Sequence, residues 1–479
     1  VSSGSLFLVK PGESNTSVDF IISNGSLVGT RTAGNDWYTV VDGDAYSVTT
    51  GEADASGNIT YTYNTVKGNT ITLNNVNVDS ESYGVGVSGE YLCATVTENS
   101  GKETSHTDVT NPVRNMAWTD ALITLTINGG TISGGNGAAA VATNGMFGGE
   151  LITINKAILK SEEGAAIYAP SNAHWTIDGC TIEGVSGIDV RAGEVTVKNS
   201  TIKYNGPSGG QDKDQHDGPL DFGVGISVLT PTGYSPVGAK VVVESTVTFE
   251  AGEDAKATVV AAPFNYGQKD EKNNTVLFTW ENLLSYANFM NSIDVKIGDS
   301  EFKYVAEQKD TSNNNKKATS TGSCFDVSFS NGTPVFSNVT VGTNLLADIV
   351  GDVVLKNKGE KISFTNGSSM LGNIIYGDGD GAASLYVDAV FAKNSGNIEF
   401  VAGSVICEGA QVTGSVSGGA AILKGTGAVS FKNLTINADV NIAGVNVTEN
   451  LTVNSGINAY VTGAVEPKKL SLNGNIVLE

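Results

Sequence analysis

The chain has 479 residues, of which 50 are acidic and 28 basic, and its formal net charge at pH 7 is −22. This length exceeds one ordinary hydrophobic core, so it predicts either several domains or one elongated repeat architecture. The negative charge makes nucleic acid and anionic lipid headgroups poor partners, and its simplest interpretation is a well-solvated exterior. A hydrophobic share of 40% with 59 glycines predicts a folded chain of many turns and short strands.

The sequence starts at Val1, and its first residues contain neither a basic stretch nor a long apolar run. We therefore expect an extracellular or cell-surface protein from which a signal peptide has been removed. No apolar run approaches the ~18 to 20 residues that a membrane-crossing helix needs, so we expect no membrane span. Cys93, Cys180, Cys324 and Cys407 lie too far apart for a disulfide framework or a metal site. A buried, unreactive thiol is expected at Cys180.

Residues 1–66 are predicted to form an N-terminal β cap. Apolar and polar residues alternate in Ser17–Ile22 and in Asn58–Tyr63, as they do in half-buried strands. Because a stack of strands has an open end with unpaired backbone groups, we expect these strands to begin or cap such a stack.

One heptapeptide pattern recurs within residues 67–262, which are predicted to form one repeat domain. Each copy has an alternating apolar pair, a short polar turn and a second alternating pair. Four copies start 27, 23 and 20 residues apart, at Thr126–Ile132, Thr153–Leu159, Thr176–Ile182 and Thr196–Ile202. Related segments are Thr72–Val78 and, more loosely, Val242–Thr248. Since one copy cannot bury its apolar face alone, we expect the copies to stack as successive parallel strands.

Three segments of this region carry a resemblance to a known fold: Gly164–Pro170, Trp175–Gly179 and Gly187–Gly193. They resemble the right-handed parallel β-helix of the pectate-lyase-like superfold, and most closely the surface proteins of anaerobic, gut-type bacteria. The resemblance covers about residues 120–250. It implies a β-solenoid, and it informs fold far more than activity.

The remaining regions complete a predicted all-β fold class: a right-handed parallel β-helix with an N-terminal cap and a second C-terminal β domain. Residues 204–239 interrupt the repeat with a polar loop, and loops that leave a solenoid often carry binding sites. Residues 263–322 are predicted to be an insertion with one short helix, Thr279–Met290, capped by Thr279. Residues 323–479 are predicted to form a β-solenoid, with a β-sandwich as the alternative.

Two acidic loops are candidate Ca²⁺ sites, because hard oxygen ligands on a flexible loop suit calcium. Asp378 and Asp380 alternate with glycines in one loop, and Asp212, Asp214 and Asp217 lie in the other. The competing interpretation is that both are solvated acidic turns. No other cofactor is predicted.

Signatures of catalysis are sparse. In pectin-cleaving hydrolases the resemblance implies paired aspartates, a Gly-His-Gly segment and an Arg-x-Lys, none of which occurs here. In the lyases it implies an acidic calcium cluster with an arginine base. Asp189 and Arg191 lie on one face of a strand, but a salt bridge between them is the favoured interpretation. His106, His174 and His216 have no partner at metal-ligand or triad spacing. We therefore predict no catalytic residue and no enzyme.

The sequence favours an extracellular structural or adhesive surface protein that could assemble into a filament or layer through its terminal strands. Two alternatives stay open. One is a polysaccharide lyase or glycoside hydrolase on a β-helix, acting through two carboxylates. The other is a non-catalytic glycan-binding module with an exposed aromatic platform, such as Tyr168 with Trp175, or Tyr234. Ordinary core aromatics are the favoured interpretation of those rings.

Overall fold

The computed structural model describes most of the N-terminal half and separate stretches of the remainder. The described residues are 5–11, 15–30, 38–91, 93–108, 120–144, 147–206, 223–229, 239–262, 268–269, 275–276, 293–298, 300–308, 323–341, 349–357, 364–365, 369–370, 373–376, 386–387, 397–400, 404–412, 421–437 and 439–478. They form strands and turns, with no α-helix among them, so the predicted all-β class is confirmed. The helix predicted at Thr279–Met290 lies outside the described residues.

The chain divides into two compact units. One comprises Val1–Val241 with Glu250–Lys256, and the other comprises Val242–Phe249 with Ala257–Glu479. The strands of the first unit are β1 (Phe7–Val9), β2 (Asp19–Gly29), β3 (Thr39–Asp44), β4 (Tyr46–Thr50), β5 (Asn58–Thr65), β6 (Asn69–Ser80), β7 (Tyr83–Ser88), β8 (Glu90–Tyr91), β9 (Cys93–Asn99), β10 (Lys102–Asp108), β11 (Ile123–Asn128), β12 (Thr131–Gly134), β13 (Val141–Thr143), β14 (Phe147–Asn155), β15 (Ile158–Ser161), β16 (Ala165–Ala169), β17 (Asn172–Asp178), β18 (Thr181–Gly184), β19 (Ser186–Val190), β20 (Gly193–Lys198), β21 (Thr201–Tyr204) and β22 (Val224–Leu229).

The second unit is also built from strands. The chain passes between the two units three times: within β23 (Ala239–Val243), within β24 (Thr248–Ala251) and between Lys256 and Ala257. The later strands are β25 (Ala257–Ala262), β26 (Gln268–Lys269), β27 (Thr275–Val276), β28 (Ile293–Ile297), β29 (Ser300–Gln308), β30 (Ser323–Ser330), β31 (Thr333–Val341), β32 (Ile349–Asn357), β33 (Phe364–Thr365), β34 (Ser369–Met370), β35 (Asn373–Tyr376), β36 (Tyr386–Val387), β37 (Asn397–Phe400), β38 (Ser404–Val412), β39 (Ala421–Ile436), β40 (Val440–Val453), β41 (Asn458–Thr462), β42 (Lys469–Leu472) and β43 (Asn475–Leu478).

The recurring heptapeptides lie side by side in one sheet of the first unit. Strands β6, β11, β14, β17 and β20 pair in parallel, and each first threonine stands opposite the first threonine of the next copy. The column runs through Thr72, Thr126, Thr153, Thr176 and Thr196. The second halves of the copies, in β12, β15, β18 and β21, pair in the same way. The parallel, in-register pairing predicted for these segments is therefore confirmed.

The alternating pattern sends every second side chain of these strands into the core. One buried column is formed by Ile71, Leu125, Ile152, Trp175 and Val195, and a second by Leu73, Ile127, Ile154, Ile177 and Val197. Burying each such side chain stabilises the fold by about 1.5–3 kcal/mol relative to leaving it in water. The columns therefore hold the register, because a slip by one residue would expose every member.

A second parallel sheet of the first unit contains β1, β3, β7, β13, β16, β19 and β22. Its buried column is Val41, Val85, Val141, Ile167, Ile188 and Ile226. From β6 to β22, the strands of the two parallel sheets occur in alternating groups along the sequence. An antiparallel sheet of β4, β5, β9 and β10 lies outside this alternation and contains Asn58–Tyr63 of the predicted cap.

The turn within each heptapeptide uses the left-handed backbone conformation. Equivalent positions are Asn75 (φ 52°), Gly129 (φ 71°), Lys156 (φ 54°), Gly179 (φ 68°) and Asn199 (φ 50°). Glycine and asparagine are the residues that adopt this conformation most easily. The backbone geometry of the turn therefore favours glycine or asparagine at this position, and four of the five copies have one of the two.

Replacing Gly129 by alanine is expected to lower the free energy of unfolding of the first unit by about 1 kcal/mol. A Cβ at Gly129 would come no closer than 3.9 Å to any neighbour, so backbone strain is the cause. Gly129→Asn is the matched control and should cost less than half as much, since asparagine already occupies two of the equivalent positions, Asn75 and Asn199. Urea unfolding followed by circular dichroism measures both. Equal losses for the two variants would contradict this account of the turn.

The last strands of the second unit also form a parallel sheet. Strands β36 to β43 pair only in parallel within the described residues. Side-chain amides repeat at 17 residues: Asn450 donates to Asn433 (2.5 Å), Asn454 to Asn437 (2.5 Å) and Asn475 to Asn458 (3.0 Å). Antiparallel pairs occur elsewhere in the unit, among them β28 with β29 and β30 with β31.

Candidate functional site

The parallel sheet of the second unit ends in an exposed apolar edge. Leu434 and Leu451 are buried and in register with each other, and the next member of their column, Leu470 on β42, is 48% exposed. The neighbouring column behaves alike. Ile436 and Val453 are fully buried, whereas Leu472 is 48% exposed. These leucines face the core direction, but no further described strand covers them.

Strand β43 repeats this arrangement beside β42. Ile442 and Val461 are buried, and Leu478, the third member of their column, is 79% exposed. The adjacent column of Val440 and Ala459 is buried and ends in the half-buried Ile476. The edge therefore presents four apolar side chains, Leu470, Leu472, Ile476 and Leu478, at positions whose equivalents on the preceding strands are buried. We call β42 and β43 together the C-terminal edge.

The backbone of the C-terminal edge is open on its outer side. Among the described strands, β42 pairs only with β40 and β43 only with β41. The outward-pointing N–H and C=O groups of each strand thus have no strand partner in the described part of the chain. An edge of this kind accepts an additional strand, because main-chain hydrogen bonds and apolar burial then act together.

The charges at this edge are basic. Lys468 Nζ lies 2.5 Å from Glu449 Oε1. Lys469 is exposed, and we find no ion pair between it and any described residue. Its column continues the amides of Asn433 and Asn450. Lys469 therefore presents one uncompensated positive charge next to the exposed leucines.

Strand β2 forms the corresponding edge of the first unit, which we call the N-terminal edge. Its only described strand partner is β6, and Phe20 and Ile22 stand in register with the buried Ile71 and Leu73. Both are only half-buried at this end position. On the opposite side of the strand, Ile21 is 58% exposed. Asp19 is exposed, and its carboxylate accepts a hydrogen bond from the Thr70 hydroxyl.

The two loops predicted to bind Ca²⁺ fall outside the part of the chain that the structure describes. Asp212, Asp214, Asp217, Asp378 and Asp380 all lie outside the described residues. Among the residues that are described, no group of three or more histidine, cysteine, aspartate or glutamate side chains could hold a metal ion.

Asp189 and Arg191 form a buried ion pair, so the predicted salt bridge is confirmed. Arg191 Nε lies 3.1 Å and 3.0 Å from the two carboxylate oxygens of Asp189, and Nη2 lies 3.0 Å from Oδ2. The Ser227 hydroxyl donates a further bond of 3.0 Å to Asp189. Both charged residues are almost fully buried. An arginine serving as a base for a polysaccharide must contact the substrate, and this guanidinium is committed to the interior.

Trp175, one of the two rings considered for a glycan platform, is fully buried in the core column, so the favoured interpretation of this ring as a core aromatic is confirmed. Tyr168 is half-buried, and Tyr234 lies outside the described residues. A different group of rings is packed together: Tyr46, Tyr63, Tyr91 and Phe147, with centroids 4.3–5.7 Å apart. Rings this close contact one another and leave no gap for a ligand between them.

The cysteines and histidines suggest no reactive centre in the described part of the chain. Cys180 is a buried free thiol, as predicted, and its Sγ lies 3.4 Å from the Ile154 carbonyl oxygen. Burial raises the pKa of the Cys180 thiol, which keeps it protonated and unreactive. His106 contacts Glu103 at 2.7 Å on an exposed strand. His216 lies outside the described residues.

Two carboxyl groups with perturbed protonation were not predicted from the sequence. Burial raises the pKa of Glu150 to about 7. Burial, with the nearby Asp42 carboxylate, raises the pKa of Asp44 to about 7. Their local sequences, Gly149-Glu150-Leu151 and Gly43-Asp44-Ala45, contain no signal that distinguishes them from solvated acids. Only the packing around each side chain does so.

Comparisons with known proteins add no relative. No family model matches the chain, and searches of curated proteins and of solved structures find no match. We also find no helix among the described residues with the length and apolar character that a membrane crossing requires.

Proposed function

We propose that this protein is an extracellular structural or adhesive surface protein that associates with further copies of itself through its exposed edge strands. The single observation that carries the proposal is the C-terminal edge. Buried apolar columns end there in the exposed Leu470, Leu472 and Leu478, beside unpaired strand backbone. Exposed apolar side chains beside unpaired backbone N–H and C=O groups form a template to which another strand can add. Such addition would bury about the same surface that each earlier strand buries.

We propose that the parallel sheets form a right-handed β-helix of the pectate-lyase-like kind. The alternation of the chain between two parallel sheets, with five copies of one heptapeptide in register, supports this architecture. Crossovers between parallel strands of one sheet are right-handed in nearly all proteins, which supports the hand. The exclusively parallel pairing of β36 to β43 favours a second solenoid over a sandwich, since sandwiches use antiparallel sheets.

We propose no catalytic activity. The burial of the Asp189–Arg191 pair supports this view, because it removes the one pair of residues that the sequence offered as a lyase centre. The acidic composition supports a well-solvated exterior. A structural role then needs surfaces that join molecules, and among the described residues the two edges offer exposed apolar side chains beside open strand backbone.

The proposal predicts that Leu472→Glu will shift the protein from larger species to monomers. A charge at this column position would have to be desolvated when another strand covers it, which costs several kcal/mol. Sedimentation velocity over a range of protein concentrations measures the change, with and without added Ca²⁺. Electron microscopy of the unmodified protein shows whether the larger species are filaments or layers.

Val477→Glu is the matched control, because Val477 lies on β43 of the same edge but on the outward face. It should leave association nearly unchanged. Circular dichroism must show that both variants stay folded. Strict monomers of the unmodified protein at high concentration, in both conditions, would overturn the proposal.

A further inference from the structure

We infer that the C-terminal edge of one copy binds the N-terminal edge of a second copy, with β42 parallel to β2 and Lys469 opposite Asp19. This inference rests on the proposed self-association and identifies the partner surface. It is an interaction between unlike surfaces of two identical chains. Contacts of that type close into a ring or continue as an open assembly, depending on the rotation between copies.

The two edge strands carry matching patterns. The sequence Lys469-Leu470-Ser471-Leu472 has a charge, a core-facing residue, an outward residue and a second core-facing residue. The sequence Asp19-Phe20-Ile21-Ile22 has the same order. In this register Leu470 would meet Phe20 and Leu472 would meet Ile22. Each buried column would then continue from one copy into the next.

The exposed surface supports this register. Leu470 and Leu472 are each 48% exposed, and Phe20 and Ile22 are half-buried, although their column neighbours within each unit are buried. All four residues are therefore incompletely covered for the same reason: each lies on the last described strand of its sheet. If the two edges cover each other, a single contact removes the exposed surface of all four apolar side chains from water.

The charges favour the N-terminal edge over a second C-terminal edge. Lys469 and Asp19 are exposed, neither forms an ion pair with a described residue, and they carry opposite signs. Oppositely charged residues directly opposite in neighbouring strands stabilise the pair, whereas like charges destabilise it. A contact between two C-terminal edges would instead bring Lys469 of both copies to one interface.

The direction of the strands agrees with the same arrangement. Strand β2 pairs in parallel with β6, and β42 pairs in parallel with β40. With the same right hand proposed above for both stacks, the outer side of β42 and the free side of β2 face opposite ways along the stacking direction. A β2 strand added to β42 would hence continue the parallel pattern, with the hydrogen-bonding groups of both strands satisfied. No rearrangement of either edge is needed.

Disulfide trapping between two different variants, each with one cysteine added to the four native ones, tests the inference. Ile21→Cys and Ser471→Cys place thiols on the outward face at directly opposed positions, about 5 Å apart between Cα atoms, which a disulfide can span. The two variants are purified separately, mixed and oxidised. Non-reducing electrophoresis and mass spectrometry of the linked peptide identify the product. The unmodified protein, which carries only the four native cysteines, is oxidised in parallel as the control for unspecific oxidation.

We expect a linked dimer that contains one chain of each variant as the main product. The register control is Ser23→Cys mixed with Ser471→Cys, which places the thiol two residues away and should lose most of the product. A dimer formed by Ser471→Cys alone would show contact between two C-terminal edges and would overturn this inference. It would leave the proposed self-association intact.

Charge reversal gives a second readout. Asp19→Lys or Lys469→Asp alone should weaken association of the variant with itself by roughly tenfold, because like charges then face each other. The double variant should recover most of the loss. No recovery, in a protein that still forms large species, would overturn the register. Absence of large species from the unmodified protein would overturn the proposed function and this inference together.

Discussion

Replacing Arg191 by methionine is expected to lower the free energy of unfolding of the first unit by about 3–5 kcal/mol. The guanidinium holds both oxygens of Asp189 at 3.0–3.1 Å in an almost fully buried site. Removing it leaves a buried carboxylate without its counter-charge. A buried charge without compensation is among the most destabilising changes that a single substitution makes.

The control for Arg191→Met is the double variant Asp189→Leu/Arg191→Met, which removes both charges. Its stability should lie close to that of the unmodified protein, because an apolar pair of similar volume restores packing without desolvating an ion. Urea unfolding gives the free energies. Hydrogen exchange of peptides from β16 to β22 assigns the loss to the first unit. If the single and double variants are equally unstable, the ion pair is not the cause.

The free energy of unfolding of the unmodified protein is expected to fall by about 3 kcal/mol between pH 4.5 and 8 because of Glu150. The variant Glu150→Gln should not show this fall. Glu150 is fully buried and accepts hydrogen bonds from the Gly89 N–H (2.8 Å) and the Ser171 hydroxyl (3.1 Å). No cationic side chain in the described part of the chain lies within ion-pair distance of it. Burial therefore dominates and favours the protonated acid.

The sign of this effect is opposite to that of a salt-bridged carboxylate. The pKa of Glu150 rises from an ordinary value of 4.5 to about 7 in the folded protein. Below pH 4.5 both the folded and unfolded states hold the proton, and the contribution is zero. As the pH rises towards 7 only the unfolded state releases it, so the free energy of unfolding falls. Above about pH 8, where the folded state has also released the proton, the loss is complete.

Urea unfolding at a series of pH values measures the difference between the two proteins. Glutamine keeps an oxygen for the Gly89 N–H and an N–H₂ for the Ser171 hydroxyl, so the difference should grow with pH and then level off. Asp44 contributes a pH dependence of the same sign, since its pKa is also raised to about 7. Both proteins retain Asp44, and the subtraction cancels it. A difference that does not change with pH would contradict the assignment to Glu150.

The parallel stack could be predicted from the sequence because its information is local and repeated. The order of side chains in Thr126–Ile132 and its later copies specifies which residues face inward, and repetition specifies which strands meet. The same parity rule predicts the position of Trp175. It lies two residues before the inward Ile177, and Ile152 and Val195 flank it in a buried column. The alternation of inward and outward residues therefore supports the core interpretation of Trp175 over the alternative of an exposed glycan platform.

The edges and the buried acids could not be predicted in the same way. Leu434, Leu451 and Leu470 occupy equivalent positions in similar local sequences, yet only the last is exposed. Whether such a residue is exposed depends on whether another strand packs beside its own, and the local sequence does not specify this. Glu150 poses the same problem, because its burial comes from Gly89 and Ser171, which are 61 and 21 residues away.

Register in the first unit does not depend on how much chain separates two neighbouring strands. The amide of Asn128 donates to Asn74 across 54 residues, and that of Asn155 donates to Asn128 across only 27, at nearly the same bond length. Insertions and deletions in the connecting segments therefore alter neither the amide columns nor the core behind them. A lineage of such chains can lengthen, shorten or exchange its connectors freely, and so acquire new surface chemistry while its scaffold stays the same.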